Sequence, residues 1–405
     1  MLLNVLVIIV VAVFILESTL DYLNQSRVND AVPNEVEGLY DLNERERSIA
    51  YGSERYRVGL ISGAISTTLL IFALTQGWLA SIDTWARSLT SQSIFVSLIF
   101  IATLSVITSL IDLPFSIYST FSIEARYGFN RITIKTFLTD LLKGALVSVV
   151  IAGPLLALVI WLYQSFTNRF WLLGWLAVSA FSLVMFMFGT RVILPLFNKL
   201  TPLPEGELKT AINAYCKSQG YSMTRLFVMD GSKRSSKANA FFSGLGKSKT
   251  IVLFDTLLEK LSTEEIVAVL AHEIGHYKRK HTLGMFIVSN IQTLAIFSLL
   301  GWLLGYQQLS TTLGAKESSF HLSAFTFFIL LGPLQILLGL INNSFSRRNE
   351  FDADQFAKKT FKAEPLVEGL RKISKDALAN ITPHPLYVAF HYTHPPLAQR
   401  IRALK

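Results

Sequence analysis

Residues 143–169 read KGALVSVVIAGPLLALVIWLYQSFTNR, with no charged side chain between Lys143 and Arg169. A helix needs roughly 20 apolar residues to cross the hydrocarbon core of a bilayer, so this stretch reads as a membrane span. Outward from it, similar uncharged runs lie between Arg57 and Asp83, Arg87 and Asp112, and Arg169 and Arg191. Two more extend from Thr282 to Ala315 and from Ser318 to Ser346, the second with His321 near its start. The N-terminal stretch, Met1 to Leu16 and past Glu17 to Leu20, lacks the basic region and small-residue cleavage site of a signal peptide. It reads as a retained span. The expected spans are 2–22, 58–79, 92–115, 143–163, 171–191, 283–305 and 320–343.

Composition agrees. The 405 residues are 51% hydrophobic and 16% charged, against about 25% charged in soluble domains, which excludes disorder. The single cysteine, Cys216, cannot form an internal bridge, so a disulfide scaffold is excluded too. A net charge of +9 would suggest nucleic acid in a soluble protein. Sorted by the seven spans, however, 34 of the 37 Lys and Arg fall on one side, and only Arg87, Arg169 and Lys316 on the other. The positive-inside tendency then puts the first residue outside and the long polar segments in the cytoplasm. The charge is read as topology, and nucleic acid is not an expected partner.

Four parts follow: membrane helices one to five with their loops (1–191), a first polar part (192–282), helices six and seven (283–343), and a second polar part (344–405). The two polar parts are expected to meet as one catalytic domain. Its first part holds LSTEEIVAVLAHEIGHYKRKH, residues 261–281. Ser262 followed by Glu265 is a capping box, and Glu264 favours the positive end of the helix dipole. At 100° per residue, His272 and His276 stand about 40° apart on one face, one turn along the axis, and both can reach one ion. With 7 His in the chain, H-E-x-x-H is expected by chance about 0.005 times.

Zn²⁺ accepts imidazole nitrogen, and a catalytic zinc site takes three protein ligands with a fourth position left for water. Glu273 stands beside that position. An extended H-E-x-x-H-x-x-G-x-x-H motif is absent, because Arg279 and Thr282 occupy its last two places. His281, five residues past His276, is rotated 140° from it and reads as an interfacial helix-end residue. The third ligand is sought in SFSRRNEFDADQFAKKT after the last span, where Glu350 is the better candidate. If that segment is helical, Glu350 and Asp354 share a face, so one can bind metal while the other accepts a hydrogen bond from a ligating imidazole. Such bonds fix the tautomer and raise ligand basicity. The runs RLFVM, NAFF and TIVLF suggest a small sheet. An exposed edge strand there can add a peptide through main-chain bonds, and Asn239 and Ala240 are the substrate-binding candidates.

At this point the chain resembles the type I CAAX prenyl proteases, integral-membrane zinc peptidases of the gluzincin type. Beyond HEIGH, the segments IEARYGFNRIT, PLFNKLTPLPEGELKTAI, KANAFFSGLGKSKTIVLFDTLL, SRRNEFDADQFA and HYTHPPLAQRIRAL are similar to family segments in the same order. The resemblance implies a mainly α, multi-pass fold: seven transmembrane helices around a water-filled chamber, closed on the cytoplasmic side by a small α+β zincin-type domain. It also implies one zinc ion on His272, His276 and Glu350, Asp354 as the supporting carboxylate, and His394 and Arg400 lining the site. On spacing alone, THPP reads as a turn and Arg400 as a surface cation. Where family members usually carry Ser or His before the Asn-Ala pair, this chain has Lys237 and Ala238. It is shorter than eukaryotic members, its 306–319 segment is brief, and IRALK carries no retrieval signal. A bacterial chain is therefore expected, in the inner membrane; a eukaryotic one would sit in the endoplasmic reticulum membrane.

The expected activity is peptide-bond hydrolysis near the C-terminus of peptides, prenylated or not. Zinc lowers the pKa of bound water to about 7; Glu273 would take its proton and later pass one to the leaving amine. His394 would donate to the developing oxyanion, with Arg400 supporting it or holding substrate. Two rivals are weighed. A membrane quality-control endoprotease of the heat-shock type shares the zinc motif but has fewer spans. A transporter or channel with a structural zinc would carry intramembrane acids, whereas Asp112 and Asp140 sit only near span ends.

Overall fold

A computed structural model of the chain describes residues 1–221, 225–243 and 250–405. Residues 244–249 of the expected segment KANAFFSGLGKSKTIVLFDTLL lie outside the described residues. Among those described, seven helices are long and apolar enough to cross a membrane: Leu2–Ser26, Leu42–Thr75, Ser93–Glu124, Ile134–Ser165, Thr167–Phe197, His281–Leu303 and Phe320–Thr360. They match the seven expected spans. The second ends earlier than expected, at Thr75 rather than 79, because Gly77 takes the left-handed conformation (φ 72°) that stops a helix, and a separate helix, Trp78–Leu89, follows. Several of the others run beyond the expected limits, the seventh by more than four turns.

No more than 22% of the most apolar window of any of these helices is buried within the protein. Val106, Leu110, Leu142 and Ile291 are among the large apolar side chains left exposed. Soluble monomers do not leave contiguous apolar patches of this extent open to water, and a helix satisfies all its backbone groups internally, as hydrocarbon requires. Lipid is the solvent for these faces.

The polar parts form one α+β domain around a four-stranded sheet ordered β1 (Leu200–Pro202), β2 (Leu226–Met229), β4 (Thr250–Phe254), β3 (Ala240–Ser243). β1 and β2 are antiparallel, β2 and β4 parallel, and β4 and β3 antiparallel with Ala240 opposite Leu253. The three apolar runs seen in the sequence are β2, β3 and β4. One face of the sheet packs on the helix Thr263–Lys278, whose Ile266, Leu270 and Ile274 share a core with Ile212, Leu253 and Leu366. Ala357, from the seventh long helix, joins the same core.

Two polar ties fasten this domain to the spans. Arg234 grips Asp140 with Nε and Nη2 at 2.8 and 2.9 Å and donates from Nη2 to the Phe197 carbonyl. Lys237 Nζ lies 2.9 Å from Glu124 Oε2 and 3.0 Å from the Tyr51 hydroxyl, and 4.2 Å from the Phe129 ring centroid. The lysine that departs from the family pattern is thus engaged with the second and third spans. Asp140, weighed as a transport signal, is the partner of an arginine.

Candidate metal centre

The motif helix starts where the capping box predicts. Ser262 Oγ accepts from the Glu265 N–H, and Glu265 Oε2 accepts from the Ser262 N–H at 2.8 Å. From that start, His272 and His276 come up on one face of Thr263–Lys278 with their Nε2 atoms 3.2 Å apart. The seventh helix crosses this face, and the crossing is close because residue 275 is glycine. A Cβ there would lie 3.1 Å from Ala353 Cα and 3.2 Å from its carbonyl oxygen. Glu350 and Asp354, one turn apart on the unbroken helix Phe320–Thr360, are thereby brought onto the two imidazoles.

Glu350 Oε1 is 3.1 Å from His276 Nε2, and Oε2 is 3.3 Å from His272 Nε2. One ligand atom from each of the three residues falls within 4.8 Å of the others. Asp354 Oδ1 is 2.8 Å from His272 Nδ1. A carboxylate at that distance requires the proton on Nδ1, which leaves Nε2 a bare acceptor. His276 also turns Nε2 inward, so two lone pairs and a carboxylate converge on one point. Glu350 Oε2 is buried there without a hydrogen-bond donor. An arrangement of acceptors facing one another out of water is costly unless a cation sits among them, and two imidazoles with a carboxylate are a zinc donor set. The residues fit a metal ion. Burial opposes charge on the His272 ring, but the Asp354 and Glu350 carboxylates outweigh it and push its pKa up to about 9, so the pocket favours a positive charge at Nε2, a proton or, in its place, a metal ion.

Arg400 is buried, at 8% exposure, and not the surface cation that its spacing suggests. The helix Leu397–Leu404 packs against the seventh helix. The guanidinium clasps Asp354 with Nε and Nη2 at 2.8 and 2.6 Å, and Nη2 lies 3.3 Å from His272 Nδ1. Burial works against its charge, yet Asp354, Glu350 and Glu273 together raise its pKa. Glu273, half-buried, therefore feels the same field. His394 is exposed, with Nε2 3.4 Å from Glu350 Oε1, so THPP brings an imidazole to the open side of the cluster.

Three contacts were not readable from spacing. Arg347 Nη1, on the seventh helix, donates to the carbonyls of Val388, Ala389 and Tyr392 at 3.0, 3.3 and 2.8 Å. It thus caps the helix Pro385–His391 and anchors the chain just before His394. Lys237 finds Glu124. His281, read as pointing away, has Nδ1 3.1 Å from His276 Nδ1. The 100° count fails because the motif helix ends at Lys278 and Lys280 is left-handed at φ 59°, so a new helix begins at His281 and turns the ring back. The one sequence signal was the uncharged run starting at Thr282, which marks a new helix. Asn239 and Ala240 are not brought into the cluster by any contact described. Ala240 begins β3, at an edge of the sheet, and Asn239 just before it accepts from the Ala240 N–H through Oδ1 at 2.8 Å.

Residues 202–405 match the model of Peptidase family M48, and residues 21–199 match that of the CAAX prenyl protease N-terminal region with five membrane helices. The chain belongs to the M48 peptidase family. This M48 peptidase is 36% identical to the CAAX prenyl protease 1 homolog of Oryza sativa subsp. japonica, over 98% of its own length and 95% of the rice protein. It is 38% identical to CAAX prenyl protease 1 of Saccharomyces cerevisiae over 76% of its length and 72% of the yeast protein. The crystal structure of S. mikatae Ste24p superposes with a TM-score of 0.95 at 32% identity, covering 100% of this chain and 99% of that one. The resemblance noted in the sequence is borne out. The protein is a multi-pass integral-membrane metalloendopeptidase that acts on peptide or protein substrates, and family membership sets the transporter reading aside.

Proposed function

We propose that the metal is a single Zn²⁺ held by His272, His276 and Glu350, and that the enzyme cuts peptide bonds near the C-terminus of peptides, prenylated substrates included. The observation that carries this is the convergence of two imidazole nitrogens and a buried carboxylate within 4.8 Å. The names of the rice and yeast relatives, both CAAX prenyl protease 1 proteins, support the substrate class. The lopsided distribution of Lys and Arg supports a cytoplasmic catalytic side. The brief 306–319 segment supports a bacterial inner membrane; in a eukaryote the corresponding place is the endoplasmic reticulum membrane. Nucleic acid is not among the partners.

Bound zinc supplies Lewis acidity, polarising the scissile carbonyl and acidifying water. Glu273 is the general base, taking a proton from the attacking water and delivering one to the leaving amine. Asp354 holds the His272 tautomer, and Arg400 neutralises Asp354 while its positive field reaches Glu273 and Glu350. His394, on the open side, donates to the oxyanion as it develops. The substrate backbone lies extended along the edge strand β3, as in strand addition, with Asn239 and Ala240 at its start as the substrate-binding residues. The chamber among the seven helices receives the lipid tail.

Mass spectrometry of a farnesylated C-terminal peptide incubated with the purified protein, with and without a zinc chelator, tests the proposal. Release of the last three residues, abolished by chelator and restored by Zn²⁺, is expected. Internal cuts confined to unmodified chains would overturn the C-terminal reading in favour of quality control.

A further inference from the structure

The two histidines are not held alike. His272 Nδ1 meets a carboxylate directly, at 2.8 Å from Asp354. Among the described residues no carboxylate meets His276 Nδ1; it faces His281 Nδ1 at 3.1 Å, and His281 Nε2 lies 3.2 Å from Asp352 Oδ2. With His276 read as a metal ligand through Nε2, which lies beside His272 Nε2 and Glu350, its proton is on Nδ1. That fixes the rest of the chain: His281 Nδ1 accepts, its Nε2–H donates, and Asp352 receives. Every atom has the role its neighbours need.

We propose that His281 and Asp352 are positioning residues for the metal centre, a two-ring relay that orients His276 and raises its basicity as Asp354 does for His272. This rests on the reading of His276 as a metal ligand. The geometry explains why a second imidazole is needed. Glu350, Asp352 and Asp354 follow one another on the seventh helix, and alternate residues of a helix point about 200° apart. Asp352 is therefore turned away from the face that carries Glu350 and Asp354, and reaches His276 only through a spacer. The spacer is set by the left-handed Lys280, a conformation that non-glycine residues hold only where surrounding structure imposes it. His281 itself is largely buried, and Arg279 Nε, 3.6 Å from Asp352 Oδ2, holds the outer end. Partners behind metal ligands commonly contribute 10- to 100-fold to affinity.

The test measures zinc affinity of the full-length protein in detergent by competition with a chromogenic chelator. His281→Ala is expected to weaken zinc binding by about 10- to 100-fold and to shift the visible absorption of the Co²⁺-substituted protein. Asp352→Ala is expected to weaken it by a smaller factor, and Asp352→Asn, which keeps an acceptor oxygen, to stay near wild type. Because Asp352 acts through His281, the double variant His281→Ala/Asp352→Ala should bind no more weakly than His281→Ala alone. Unchanged affinity in His281→Ala, or single losses that multiply in the double variant, would overturn the relay. His276→Ala separates the two readings: if the wild type takes up no zinc, or His276→Ala binds as the wild type does, the ligand assignment fails instead. Should His281→Ala not fold in the absence of metal, Asp352→Ala in the wild-type and His281→Gln backgrounds carries the comparison, with an effect expected only where the imidazole is present.

Discussion

Gly275 and Ala353 meet backbone to backbone where the motif helix crosses the seventh helix, with only 3.1 Å between a Cβ built on Gly275 and Ala353 Cα. The glycine of HEIGH is a packing residue: its missing side chain lets His272 and His276 on one helix reach Glu350 on another. Gly275→Ala would force the crossing apart. We expect a destabilisation of about 1–3 kcal/mol, as for other overpacked sites, together with a lower zinc stoichiometry. Thermal unfolding in detergent and metal analysis of the same sample check it; an alanine variant with normal metal content would contradict this role.

In the proposed mechanism, Glu273→Gln removes the general base but no metal ligand. Zinc content should remain that of the wild type while turnover falls by on the order of 10²–10⁴, the range for a lost general base. A metal-free but folded Gln variant would count against the separation of roles between Glu273 and its histidine neighbours.

Arg400 and Asp354 form a buried pair, and removing one member of such a pair typically costs about 3–5 kcal/mol. Arg400→Ala should therefore be destabilised well beyond an ordinary surface substitution. Arg400→Met combined with Asp354→Asn should recover much of the loss, because no buried charge is left unpaired. Denaturant titration of the single and double variants decides between a coupled pair and two independent contacts.

Arg347 holds three carbonyls just ahead of His394. Arg347→Gln should keep the metal and lower kcat at least about tenfold through a misplaced His394. Steady-state kinetics beside metal analysis tests this, and a change confined to KM would point to a substrate contact.

Burial pushes the Cys216 thiol up to about 11. The thiol therefore stays neutral in the folded protein, and its contribution to stability is present in full below about pH 9 and fades as pH rises towards 11. Alkylation at pH 8 should be roughly a hundredfold slower than for a free thiol, and fast after denaturation. Native labelling at the rate of an unfolded control would show that the core around Ile212 and Leu253 is open.

Local features of this molecule were legible because they are periodic. Uncharged runs gave the seven spans, the 100° count put His272 beside His276, and the i, i+4 spacing put Asp354 beside Glu350 once the segment proved helical. Relationships that cross a chain reversal were not. The count from His276 to His281 assumes one helix, and Lys280 breaks it with a dihedral that its side chain does not advertise. Arg400 and Asp354 are 46 residues apart, so only the packing of the last helix could reveal that the arginine is buried. Lys237 looked like a changed substrate contact because its partner, Glu124, belongs to the third span.

The helix Phe320–Thr360 is 41 residues long with Pro333 inside it, about 60 Å at 1.5 Å per residue, from the apolar interior to nearly three turns beyond Glu350. It is a lever with lipid at one end. Pivoted where it leaves the hydrocarbon, about 10 Å before Glu350, a rotation of roughly 6° carries that oxygen donor about 1 Å sideways. Helices answer a thicker or thinner bilayer by tilting. A tilt of this helix would couple the thickness of the surrounding membrane to the position of Glu350, with Pro333 the interior position at which the element can bend.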